Sequence, residues 1–252
     1  MIDFYSKDKY LYALSIVFFL MMNITETKSF QKCDSVRSCT GNALHITVTS
    51  GKGAQYVDVP MTKSLSDIKS HMTVEIWIKP QSQSGTKQYI AGLWGPGEDV
   101  NDSWALYISP DDTLVFELNG RNTDLGEFDN TIVKGFAGGL YNTWSHIAAV
   151  FDGTNQTAYL YINGALIDSA RNDMYPLSQL RKTQDNLPLQ IGSTNALSND
   201  NNNRTLLGWI DEVRIWNKVI PAFEIYCGMN KSLNDKVDDL ILYYRFNQKP
   251  FN

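Results

Sequence analysis

The chain is poor in the residues on which most catalytic and metal chemistry depends. It has three cysteines and three histidines in 252 residues, and neither set has the two close pairs that a structural zinc needs. No H-E-x-x-H and no G-x-S-x-G occurs, which removes the zinc-protease and nucleophile-elbow arrangements. His45, His71 and His146 stand alone in the sequence and read as structural or surface residues. Basic clusters are missing as well. The 22 lysines and arginines are scattered and the net charge is −5, whereas nucleic-acid binders concentrate cations to displace counterions. Nucleic acid is therefore set aside as a partner. There is no internal repeat and no linker-like stretch, and the single low-complexity patch, Ser198 to Asn203, reads as an exposed loop.

Long apolar runs are also absent, with one short exception. Leu11 to Met22 is a stretch of twelve residues, apolar but for Ser15, shorter than the ~20 that span a bilayer. Lys7 and Lys9 precede it and polar NITETKS follows. The pattern reads as a secretory signal peptide cleaved after Ser29, because Thr27 and Ser29 are small enough for the −3 and −1 positions. Asp3 and Asp8 weaken its positive charge, and an uncleaved N-terminal anchor is the alternative. The expected organisation is a signal peptide over 1–29, a cysteine-containing lead-in over 30–42 and one domain over 43–252, secreted or held at the cell surface, with no membrane insertion after cleavage. Cys33, Cys39 and Cys227 would then face an oxidising space. A Cys39–Cys227 disulfide would join the entry of the domain to its last turn; Cys33–Cys227 and Cys33–Cys39 are the other pairings. Closing so long a loop stabilises by about 3 to 5 kcal/mol in the chain-entropy model. The odd thiol could link to another chain, and the oligomeric state is left open.

What the sequence does have is strands and turns. WSHIAAVFDGTNQTAYLYINGALI, Trp144 to Ile167, holds one apolar strand ending at Asp152-Gly153 and a second reversing at Asn163-Gly164. Asn-Gly suits a type I′ hairpin, where both central residues take positive φ. Further strands are expected over 43–49, 55–59, 72–79, 88–94, 103–109, 113–118 and 131–136, then 145–151, 158–162, 165–169, 188–192, 208–216 and 239–246. So many short strands mean two packed antiparallel sheets, an all-β sandwich. In MTVEIWIK, Val74, Ile76 and Ile78 share one face and Thr73, Glu75, Trp77 and Lys79 the other. GWIDEVRIW does not alternate cleanly; a bulge at Asp211-Glu212 would bring Ile210, Val213 and Ile215 to one face. Only Pro221 to Asn230 looks helical, with Pro at its first position.

The order of QYVDVP, MTVEIWIKP, the Trp144–Ile167 meander, LQIG, LLGWIDEVRIWNKVIPAFEI and CGMNKSLNDKVDDLILYYRFN resembles the laminin-G-like jelly roll of the concanavalin A-like superfamily, including its pentraxin relatives. The resemblance covers Ala43 to Asn247. It implies a two-sheet jelly-roll sandwich with one short C-terminal helix, and a secreted or surface module whose loops bind an extracellular glycan or protein, often with calcium. GPGEDVNDSW places Glu98, Asp99, Asn101 and Asp102 in one loop, a density of hard oxygen ligands that suits Ca²⁺. Asn101-Asp102 is similar to the calcium-binding pair of the relatives in reverse order. Where the relatives carry Glu, Gln and Asp after LQIG, this chain has Thr194, Asn195 and Ala196, and a later Gln aligns with Arg204. One ion held by Asp99 or Asp102 with Asn195, Asp200 and backbone carbonyls is the expectation, rather than a double site. The pentraxin disulfide positions correspond to Glu75 and Ala148, so no pentameric ring is assumed.

Trp94 and Trp104 flank the acidic loop and are weak candidates for stacking on a sugar ring; core packing is their alternative. Trp144 and Trp216 read as structural. After the one inside the expected signal peptide, sequons stand at Asn101, Asn155, Asn203 and Asn230, and Asn155 lies at an exposed turn where glycosylation needs it. A glycan on Asn101 would compete with calcium for one loop. The superfamily's glycoside hydrolases use paired carboxylates on alternate strand positions. Here Asp211 and Glu212 are adjacent and Glu75 is alone in its strand, so hydrolysis through Asp211 or Glu212 is the second expectation and a structural turn residue beside a solvated acid its alternative. A disulfide-linked structural or adhesion role is the third.

Overall fold

Alternation, turn chemistry and bulges sort the chain into two antiparallel sheets. The computed structural model describes residues 41–49, 53–81, 85–95, 102–183, 187–194, 205–233 and 237–247. The chain divides into two compact units, Met1–Ser35 and Val36–Asn252, and every described residue falls in the second. The expected signal peptide and lead-in cysteines lie outside the described residues.

The strands of the first sheet are β1 (Leu44–Ile46), β5 (His71–Pro80), β10 (Ser145–Asp152), β11 (Thr157–Ile162), β12 (Ala165–Ala170), β15 (Gly208–Trp216) and β16 (Leu240–Tyr244). They run β1-β15-β5-β10-β11-β12, with β16 also paired to β15. The second sheet holds β4 (Val57–Val59), β6 (Gln88–Trp94), β7 (Asp102–Ile108), β8 (Thr113–Arg121), β9 (Phe128–Phe136), β13 (Gln179–Leu180) and β14 (Leu189–Ile191). Its order is β13-β8-β7-β6-β14-β4, with β9 on β8. A small ribbon pairs β2 (Val48–Thr49) with β3 (Gly53–Ala54). Two short helices complete the described elements, α1 (Lys63–Ser66) and α2 (Ala222–Gly228).

The expected strand over 43–49 breaks into β1 and β2, the strand over 131–136 starts three residues earlier, and β13 and α1 are additions. Both additions are too short to leave a periodic signal. Pro221 caps α2 from extended backbone at φ −62, ψ 149 rather than opening its first turn.

The core lies between the two sheets. Val74, Ile76, Ile78, Leu106, Ile108 and Phe116 are all fully buried there. The bulge in β15 is present, since Asp211 pairs with Trp77 while Arg214 pairs with Glu75, and it leaves Ile210, Val213 and Ile215 buried in the core. The outer face of the first sheet is covered too. Ile220 and Ile225, from α2 and the segment before it, pack on Ala148, Val150, Tyr161 and Trp216, which explains why Thr73 and Glu75 are buried on a face with polar spelling. Asn163 and Gly164 have φ of 51° and 78°, the positive values a type I′ turn requires.

Candidate functional site

The two loops singled out by the sequence begin at one rim. Trp94 and Asp102 are register partners at the end of the β6–β7 pair. Asp102 is buried and its Oδ1 accepts the Gly95 N–H at 3.0 Å, while Thr194 Oγ1, at the end of β14, donates to the Trp94 carbonyl at 3.1 Å. Glu98, Asp99, Asn101, Asn195, Asp200 and Arg204 lie outside the described residues. Among the described residues no three His, Cys, Asp or Glu side chains gather as a metal site, and Asp102 closes the neck of its loop.

The fold separates the two candidate tryptophans. Trp94 is half-buried on the outer face of the second sheet, against Tyr89, Ala105, Tyr107 and Val115. Trp104 follows the inward phase of Leu106 and Ile108, is 4% exposed and joins the core. It offers no open stacking face; instead it walls a cavity of about 440 Å³.

That cavity opens beside α1. Thr62 caps the helix, its Oγ1 accepting the Leu65 N–H at 3.3 Å, and buried Leu65 anchors it. Met61, Leu65, Leu93 and Trp104 form an apolar wall, the hydroxyls of Thr62, Ser66 and Thr183 border it, and Lys63, Arg181 and Lys182 supply positive charge. A second cavity, about 290 Å³, shares Leu180, Arg181 and Lys182 and adds Lys69, Arg121 and Phe128. Residues 180 and 181 stitch the two sheets together at this edge: Leu180 N–H donates to the Lys69 carbonyl and Arg181 N–H to the Asn119 carbonyl, each at 2.8 Å. Cations that are scattered in sequence thus converge, correcting the expectation of dispersal at one place. Only the Arg181-Lys182 dipeptide hinted at it; the rest depends on long-range pairing.

Glu212 is not the solvated acid of the bland expectation. It is 2% exposed, takes the left-handed backbone at φ 50 in the bulge, and accepts from Arg214 Nη2 at 3.1 Å and from the Tyr243 hydroxyl. Arg214 Nη1 is 3.9 Å from Glu75 Oε1, which also accepts from Trp216 Nε1 at 2.8 Å; the other Glu75 oxygen is 3.4 Å from His146 Nε2. Two buried carboxylates therefore share one guanidinium. Burial pushes Glu75 up, but the His146 hydrogen bond, the His146 and Arg214 charges and the Trp216 donor together hold it below the usual carboxylate range. Burial pulls Arg214 down and Glu75, Tyr243 and Glu212 raise it further, so its net shift is upward. Asp211 goes the other way: burial chiefly, with the neighbouring Glu212 charge, raises it to about 6 against the Glu212 N–H that it accepts at 2.8 Å.

Glu75 and Ala148 are direct partners across β5 and β10, the geometry expected from the pentraxin-like correspondence, here without cysteines. Asn155 is exposed in the turn after β10, its Nδ2 donating to Asp152 Oδ2 at 2.6 Å. Cys227 lies in α2, and Cys33 and Cys39 lie outside the described residues.

The family model described as the concanavalin A-like lectin/glucanases superfamily matches residues 50–226. A search of curated proteins by sequence finds no match. Among solved structures, a candidate carbohydrate-binding protein from Bacteroides ovatus is 18% identical with a TM-score of 0.55, covering 82% of this chain and 51% of its own. This chain therefore spans about half the length of that protein. The CBM40 of the Ruminococcus gnavus IT-sialidase is 18% identical, TM-score 0.53, covering 78% of this chain and all of its own. A leech intramolecular trans-sialidase is 13% identical, TM-score 0.53, covering 81% of this chain and 29% of its own.

Proposed function

This chain belongs to the concanavalin A-like lectin/glucanase superfamily, and from that premise we propose that it is a non-catalytic extracellular module that binds a glycan in the cavity beside Trp104. The observation that carries the proposal is the lining of that cavity: an apolar wall faced by hydroxyl side chains, Thr62, Ser66 and Thr183 among them, and by three cations. A sugar ring presents C–H faces to the first and hydroxyls to the second, the combination of apolar surface and a few fixed polar groups that defines small-ligand sites. The candidate carbohydrate-binding protein and the CBM40 module support it through the shared fold.

Secretion rests on the Leu11–Met22 run and a small-residue cleavage site. Calcium is proposed as an ordering ion for the loop from Gly95 to Ser103. The described residues give it Asp102 alone, which holds Gly95, so no binding step is routed through the metal. Hydrolysis is the second reading, favoured by one observation, the raised Asp211 carboxyl. Its neighbour Glu212 is committed to Arg214 and Tyr243, which supports the non-catalytic reading.

The test is a glycan array with the secreted chain, run in Ca²⁺ and in EDTA. At least one glycan class is expected to be retained, with Ser66→Ala/Thr183→Val weakening it about tenfold, as the loss of two hydrogen bonds predicts. Retention of no glycan, or retention unaffected by that double variant, sinks the cavity assignment. Release of shortened products from the bound glycan would overturn the non-catalytic assignment.

A further inference from the structure

The cavity beside Trp104 adjoins a second lobe: Leu180, Arg181 and Lys182 line both, and Lys69, Arg121 and Phe128 wall the second. Three separate chain segments deliver this charge. Lys69 precedes β5 of the first sheet, Arg121 ends β8 of the second, and Arg181-Lys182 follow β13, which is hydrogen-bonded to both. The lobe is thus fixed by main-chain pairing rather than by a mobile tip.

The Arg181 guanidinium lies over the Phe128 ring, 4.6 Å from its centroid. Phe128 is the register partner of Arg121 across β8 and β9, so both arginines are anchored at one spot. Stacking on an aromatic face fixes the plane of a guanidinium and leaves its N–H edge for a bidentate acceptor. Arg181 Nε is buried without a hydrogen-bond partner. Among the described residues, neither cavity has a carboxylate in its wall; Asp67, whose charge reaches Lys69 and Lys182, is ion-paired with Lys63 on α1. Lys69, Arg121, Arg181 and Lys182 make no ion pair with a described residue. Four cations gathered with no ion pair among the described residues, in a chain whose net charge is −5, repel one another, and an anion that joins them relieves that repulsion.

We propose that the Lys69–Arg121–Arg181–Lys182 lobe is an anion subsite that selects glycans carrying a carboxylate or sulfate, the acidic group entering this lobe while its sugar ring occupies the cavity beside Trp104. The proposal rests on the glycan-binding reading of that cavity. A planar carboxylate or a sulfate oxygen pair matches the two-pronged donor edge of an arginine. Lys69 and Lys182 add point charge without geometric demand. A neutral sugar would fill the first cavity and leave the second lobe unpaired.

Titration calorimetry on the full chain tests this with four probes: lactose, sialyllactose for the carboxylate, a sulfated heparin-type disaccharide for the sulfate, and sodium acetate as a free anion. At least one of the two acidic sugars is expected to bind ten-fold or more tighter than lactose, with affinity falling as salt is raised from 50 to 300 mM. Arg121→Gln and, separately, Lys69→Gln, at residues that line only the second lobe, are expected to remove that advantage and leave lactose unchanged, whereas Arg181→Gln, at a residue shared by both cavities, is expected to weaken every sugar. Lys182→Gln, whose side chain is exposed, serves as the variant that cannot disturb folding and is expected to lose three-fold or more. Sialyllactose alone gaining assigns the lobe to carboxylates, and the disaccharide alone gaining assigns it to sulfates. Equal binding of lactose and both acidic sugars overturns the anion subsite while leaving the glycan reading standing. No binding by any sugar overturns both, and acetate binding as tightly as the acidic sugars shows an anion site without a sugar subsite, which also overturns the proposal.

Discussion

Asp211 and Glu75 show what burial does to a carboxylate when its partners outweigh it and when they do not. Both sit beside the β5–β15 pair, yet Glu75 has His146, Arg214 and Trp216 as partners and is held down, whereas Asp211 is raised to about 6, chiefly by burial. A carboxyl raised in the folded state binds its proton more tightly there than in the unfolded chain, where the pKa is about 3.9. Its contribution is therefore full below pH ~4 and is lost as pH rises through about 6. Asp211→Asn, which keeps an oxygen for the Glu212 N–H, should raise stability above pH 7 by about 1 kcal/mol, allowing for solvent screening of a partly exposed group. Urea unfolding of the two proteins at pH 3.5 and pH 8 checks it: the difference should vanish at the lower pH. A variant less stable than wild type at pH 8 would mean that the ionised carboxylate is the favoured form. Glu75 has the opposite sign, since its ion pairing is present above the unfolded pKa and lost as pH falls.

At the scale of elements, the Asn163-Gly164 turn does more than reverse β11 into β12. Asn163 Oδ1 accepts the His146 N–H at 2.9 Å and Asn163 N–H donates to the His146 carbonyl at 2.7 Å, tying the turn back to β10. A Cβ added at Gly164 would lie 3.0 Å from Tyr226 Cα, at a φ of 78°. The turn is thus the seat on which α2 rests, and α2 in turn covers the outer face through Ile225. Gly164→Ala carries both a left-handed backbone penalty of about 1 kcal/mol and a backbone clash. We expect a loss of about 2 to 3 kcal/mol by denaturant unfolding. Asn163→Gly, which keeps the turn geometry, should cost less than half of that. Equal losses would show that the side-chain tie, not the helix seat, matters most.

For the molecule as a whole, two long-range features remain to be tested by chemistry: the tether of Cys227 and the ordering of the acidic loop. Mass mapping of the secreted, non-reduced chain is expected to begin at Phe30 and to give one peptide joining Cys227 to Cys39. A Cys33–Cys227 peptide would move the tether within the lead-in; a free Cys227 would remove it. Thermal melting of the same preparation in Ca²⁺ against EDTA is expected to show an increase with the ion that Asp102→Ala abolishes. An unchanged melting temperature in both media would retire calcium from this rim.

The sequence by itself determined the sandwich. Val74, Ile76 and Ile78 announce an inward face through period-two alternation, Asn163-Gly164 specify their turn through positive φ, and the broken phase of GWIDEVRIW announced its bulge; all of these are local consequences of backbone geometry. The candidate site was only partly legible. Trp94 and Asp102 do meet at the rim, but Trp104 turns inward because its strand phase, not its distance from the loop, sets its direction. Asp211-Glu212 reads in the sequence as an adjacent acid pair, because Tyr243 becomes a neighbour of Glu212 only when β16 pairs with β15. The cation cluster depended most on tertiary structure. Lys69, Arg121 and Arg181 come from segments more than fifty residues apart, and a two-residue strand too short to be read from sequence brings them together. Local rules fix strands and turns; which charges meet across the edge of a sandwich is decided by the pairing of strands distant in sequence.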